Sequence, residues 1–147
     1  MFTLEIGIED QESEILEVNS LKKALQIAAD RVKRGLPVFI IDETTGAEVG
    51  VRIRGGRTEV IHIRHGTSTL MGPEMVSLFK VMRGVPVSEE ERSVATAGAV
   101  DALQANRRQK GFVSQTSRGL KMFGVQATEV IPELESLERN IEKTGLV

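Results

Sequence analysis

Hydrophobic periodicity changes once along this chain, and that change constrains the fold more than any other feature. Up to about Gly66, apolar residues alternate with polar ones in short runs; beyond it they recur at helical spacings. The pattern predicts an α+β protein with a strand-rich unit over 1–66 and a helical unit over 67–147, either as two units or as one continuous compact domain.

In the front half, Phe2, Leu4, Ile6 and Ile8 alternate with Thr3, Glu5, Gly7 and Glu9, as in a half-buried strand. The acidic stretch Asp10 to Glu17 reads as a loop. Asn19 and Ser20 then supply capping oxygens for a helix from about Leu21 to Arg34, with Leu21, Ala24, Leu25, Ala28 and Val32 on one face. Gly35 and Pro37 stop it. Val38 to Asp42 reads as a strand, Glu43 to Gly46 as a turn, and Val49, Val51 and Ile53 as the next strand. Gly55-Gly56 suits a tight hairpin turn that sets Arg52 opposite Glu59 and Val51 opposite Val60. The front half is thus expected to be a β-α-β-β-β sheet with one helix packed across it.

In the back half, Met71, Met75, Leu78, Phe79 and Met82 follow helical spacing around Pro73 and end near Gly84. Ser88 with Glu89, Glu90 and Glu91 has the form of a capping box, opening a helix expected to reach Lys110 and stop at Gly111. A shorter helix over about 115–123 and a last one over about 128–143 complete the set of about four. Val94, Gly98 and Ala102, beside Ala95 and Ala99, form small-residue stripes on the long helix. Gly98 there costs about 1 kcal/mol relative to alanine. A close helix neighbour would offset this, either within the chain, such as the 71–82 helix, or in another subunit, and the internal contact is the expectation. In the last helix Val130, Ile131, Leu134, Leu137 and Ile141 form a narrow stripe that suits a core or a dimer seam.

Several function classes lose support from composition. The chain has no cysteine, which removes disulfide frameworks, thiolate nucleophiles and sulfur-ligated zinc, and points to a reducing, cytoplasmic setting. Its opening residues carry no basic region, so no export signal is expected, and no apolar run approaches a membrane span. Without Trp or Tyr, the chain lacks the aromatic platforms that stack sugars or unpaired bases. No GxGxxG or P-loop occurs, so no cofactor is expected. His62 and His65 fall three apart in a strand, on opposite faces, which argues against a metal pair. Asp42 and Glu43 fit a turn better than an acid–base pair. Neither a catalytic nor a metal site is expected. An enzyme would need a cleft bringing His62 or His65 to a carboxylate.

Charge is distributed unevenly. Residues 1–20 hold six acids and no base, whereas Arg107, Arg108, Lys110, Arg118 and Lys121 lie between Asp101 and Glu129 with no acid among them. The segment 106–121 places these bases beside Gln115, Thr116 and Ser117, the residue types that a helix-turn-helix presents to phosphates and base edges. Arg107 and Gly119 fit that motif poorly, and Arg107, Arg108 and Lys110 could equally compensate the partial charge of a helix C-terminus. A second basic face would come from Arg52, Arg54 and Arg57 on the hairpin, partly neutralised by Glu59. These residues lead to a non-enzymatic binding protein that forms a homo-oligomer through its helical half and meets a polyanion, DNA first, through Arg107, Arg108, Lys110, Gln115, Ser117, Arg118 and Lys121. The alternative is a structural or adaptor subunit, for example of a phage or mobile element, whose partners are proteins.

Overall fold

A computed structural model describes residues 1–7, 12–61 and 72–147 of the chain. The protein is α+β. Among the described residues the elements follow in the order β1 (Phe2–Ile6), β2 (Glu14–Val18), α1 (Leu21–Lys33), β3 (Val38–Asp42), β4 (Glu48–Arg54), β5 (Arg57–Ile61), α2 (Pro73–Met82), α3 (Glu89–Met122), β6 (Ala127–Val130) and α4 (Pro132–Glu142). The strands form one mixed sheet of order β2-β1-β3-β4-β5-β6, antiparallel except for the β5–β6 pair. The chain divides into a sheet unit, Met1–Ile63 with Arg108–Ile131, and a helical unit, Arg64–Arg107 with Pro132–Val147.

Local signals account for several boundaries. Ser20 Oγ accepts the Lys23 N–H at 3.2 Å and Ser88 Oγ accepts the Glu91 N–H at 3.1 Å, so the expected caps open α1 and α3. Gly35 closes α1 at φ 85°, in the left-handed region, donating its N–H to Val32 O. The β4–β5 hairpin has the expected register, Arg52 opposite Glu59 and Val51 opposite Val60. Asp42 and Glu43 both serve the expected turn and its surroundings: Asp42 Oδ1 accepts the Thr44 N–H, and Glu43 Oε1 accepts from the Thr3 hydroxyl.

Three elements differ from the sequence-based expectation. The stretch read as an acidic loop contains β2, which pairs with β1 from Phe2↔Val18 to Ile6↔Glu14. Leu16 and Val18 supply its inward face, while the carboxylates of Glu14 and Glu17 sit on a sheet edge, where charge discourages pairing with other chains. Second, Gly111 does not stop the long helix. Phe112, Val113 and Leu120 continue one buried face past it, and burying such apolar side chains, at about 1.5–3 kcal/mol each, exceeds the roughly 1 kcal/mol a helical glycine costs. Third, Thr128 to Val130 does not begin the last helix. Ala127 to Val130 pairs with Thr58 to Ile61, and the helix starts afterwards at Pro132. The β-branched Thr128 and Val130 suit a strand, and proline suits a first helical turn.

In the sheet unit, Leu4, Ile6, Val38, Ile40, Val49, Val51 and Val60 form the inward sheet face, packed with Ala24, Leu25, Ala28 and Val32 of α1 and with Phe112, Val113 and Leu120 of α3. The Phe2 and Phe112 rings stack at 6.4 Å between centroids. A Cβ at Gly119 would overlap Leu25 Cδ1, so glycine there lets α3 approach α1. In the helical unit the core is Leu78, Ala95, Ala99 and Ile141. The close neighbour expected for Gly98 is α2: a Cβ on Gly98 would lie 2.6 Å from the Glu74 carbonyl oxygen. Among the described residues, no helix is long and apolar enough to cross a membrane.

Candidate polyanion-binding surface

Because α3 runs uninterrupted to Met122, the candidate residues after Gly111 do not form a second, recognition helix; there is no turn between two helices. At 3.6 residues per turn, Arg108, Gly111, Gln115, Arg118 and Met122 fall within about 80° of one another. All five are exposed, Met122 at 80%. The opposite arc holds Gln109, Phe112, Val113, Thr116, Ser117 and Leu120, all buried. Burial alternates with exposure here because one face of the helix covers the sheet unit's core and the other meets solvent.

This wheel sorts the candidates. Arg108, Gln115, Arg118 and Lys121 are exposed on the sheet unit's part of α3, and Arg107 is exposed as the last α3 residue of the helical unit. Lys110 is half-buried and engaged with a neighbour. Ser117 is 1% exposed, and its hydroxyl, like that of Thr116, has no hydrogen-bond partner, so both belong to the interior and neither can touch a base edge. Along the axis Arg108 and Arg118 stand about 15 Å apart, at 1.5 Å per residue. Glu129 of β6, at the border of this surface, accepts a hydrogen bond from the Ser114 hydroxyl at 3.2 Å.

Gly111 was not singled out as a surface residue by sequence, yet it lies in the middle of the exposed face, and a Cβ there would meet nothing within 4 Å. By sequence it reads as a helix stop, not as part of a surface. Unlike Gly98 and Gly119, it is helical without a close neighbour among the described residues.

The second basic face is assembled as expected but is partly occupied. The Arg52 Nε donates to Glu59 Oε2 at 3.2 Å, and Arg54 and Arg57 are cross-strand partners at the hairpin end. His62 and His65 lie outside the described residues, as does Met71. Among the described residues, no group of three His, Asp or Glu side chains is placed to hold a metal. No protein-family model, curated protein or solved structure matches the chain.

Proposed function

We propose that the protein is a non-enzymatic cytoplasmic binding protein that oligomerises through its helical half and contacts duplex DNA through the exposed face of α3. One observation carries the reading: Arg108, Arg118 and Lys121 are exposed on a helical stretch free of acids, with Gly111 uncovered between them. Cations on such a face replace counterions along a phosphate backbone, and a glycine among them lets that backbone approach the helix closely. With Ser117 interior, Gln115 is the side chain left for base edges, so contact with the backbone dominates and little sequence preference is expected.

The test is fluorescence anisotropy of a labelled duplex of about 30 base pairs titrated at about 50 and 200 mM salt. Three phosphate contacts predict a fall in affinity on the order of 40-fold across that range. The triple variant Arg108→Ala, Arg118→Ala, Lys121→Ala is expected to flatten the salt slope by about 0.9 per contact. Absence of binding at the lower salt, or a slope unchanged in the variant, overturns the reading.

Gly111→Ala gives a second, separable result. The substitution removes the helical glycine cost without a clash, so the free protein gains about 1 kcal/mol by thermal or urea unfolding. If DNA approaches here, the same variant binds the duplex more weakly although it is more stable. Unchanged or tighter DNA binding would show that the glycine has no part in the contact.

A specific observation favours the alternative of an assembly subunit. The helical unit exposes Val76 at 41% and Val85 at 45%. A second copy or a protein partner covering these residues would supply missing burial. Light-scattering mass separates the readings: a defined oligomer that ignores DNA at low salt leaves assembly as the function.

A further inference from the structure

The sheet unit contains a cavity of about 550 Å³ beside the β4–β5 turn, within the size range of small-molecule sites. Val32 at the end of α1 and Val125 after α3 give it an apolar floor, and both are buried. Ile53 and Thr58, Cα partners in the hairpin, form one wall. Ile53 shares the sheet face of Val49 and Val51, which are closed into the core, yet it is 48% exposed. It faces the cavity where those two meet packed side chains.

The polar lining is one-sided in charge. Lys33 and Arg57 line the cavity, and among the described residues no carboxylate does. The Lys33 ammonium is fixed in place by donating to the Phe123 carbonyl at 2.7 Å, which uses one of its three N–H groups and leaves two. Gly124, at φ 81°, leaves room for it, since a Cβ there would sit 3.4 Å from Lys33 Nζ. Arg57 makes no ion pair among the described residues. Thr58, 8% exposed, adds a hydroxyl to the lining.

From this combination we infer a binding site for a small organic anion, a carboxylate or phosphate group on a compact apolar body. Arg57 and Lys33 neutralise the headgroup, the Thr58 hydroxyl donates to one of its oxygens, and Val32, Ile53 and Val125 cover the apolar part. Arginine suits either headgroup because its planar fork can donate two parallel hydrogen bonds. The inference is independent of the α3 surface, since none of these residues lies on the exposed face of that helix.

The experiment follows backbone amide NMR shifts of the full-length protein during titration with hexanoate, phenyl phosphate, neutral hexanamide and inorganic phosphate. Expected are saturable shifts at Gly56, Thr58, Gly124 and Val125 with hexanoate or phenyl phosphate, the responding probe identifying the headgroup, and weaker binding of both controls. Arg57→Gln should weaken binding at least about tenfold, ~1.4 kcal/mol. Thr58→Val, which keeps the side-chain shape, should also weaken it while leaving the remaining spectrum unchanged. Lack of saturable shifts with either organic anion, equal binding of hexanamide or inorganic phosphate, or undiminished affinity in Arg57→Gln would overturn the site.

Discussion

Replacing Gln109 by leucine lowers the stability of the sheet unit by about 1–3 kcal/mol. The Gln109 side chain, 7% exposed on α3, reaches β4 and imitates a neighbouring strand: its Oε1 accepts the Glu48 N–H at 3.0 Å and its Nε2 donates to the Glu48 carbonyl. Leucine removes both hydrogen bonds, and each contributes about 0.5–1.5 kcal/mol. The neighbouring exposed Arg108→Ala is the control, with an expected effect within about 0.5 kcal/mol. Urea unfolding of the two variants measures the difference, as a fall in midpoint at unchanged slope. A Gln109→Leu midpoint equal to that of the control would mean that the clamp adds nothing to stability.

Gly98→Leu should cost the helical unit about 3 kcal/mol or more, and Gly98→Ala a net of about 1–2 kcal/mol. The obstacle to a side chain is backbone: besides the Glu74 oxygen, the Glu74 carbonyl carbon would lie 2.9 Å from the new Cβ. No rotamer change relieves that contact, so α2 and α3 must move apart. For alanine the clash outweighs the roughly 1 kcal/mol gained from helix propensity. Hydrogen exchange resolves the effect, with protection lost first in α2 and the first half of α3. Gly119 is the instructive contrast, since its obstacle is the flexible end of Leu25 and a substitution there can be accommodated more cheaply. A stabilised Gly98→Ala variant would show that the two helices have slack.

The three glycines of α3 show what kind of information the sequence carries. Gly98, Gly111 and Gly119 are alike as letters, but one meets a backbone, one meets a side chain and one meets solvent. Only the neighbours brought in by folding distinguish them. The candidate surface was legible in the same partial way. The acid-free run of bases could be read directly, whereas the exposure of Arg108, Gln115 and Arg118 and the burial of Ser117 required knowing that α3 continues and which of its faces meets α1 and the sheet. The cavity was not legible at all, because Lys33, Arg57 and Val125 come from three separate stretches of chain.

What the amino-acid sequence determined by itself was local or nearly so: the α+β class, the caps at Ser20 and Ser88, the stop at Gly35, and the hairpin register around Gly55-Gly56. Each depends on groups within a few residues of one another, so side-chain oxygens, positive φ angles and two-residue alternation act before the rest of the chain is in place. Tertiary structure decided whether Glu14–Val18 is a strand, whether Gly111 ends a helix and whether Ala127–Val130 pairs or coils. In all three the local preference is weak or opposed, by carboxylates, by a glycine or by shortness, and the outcome is set by what becomes buried: β1 beside β2, α1 and the sheet beneath α3, and β5 beside β6.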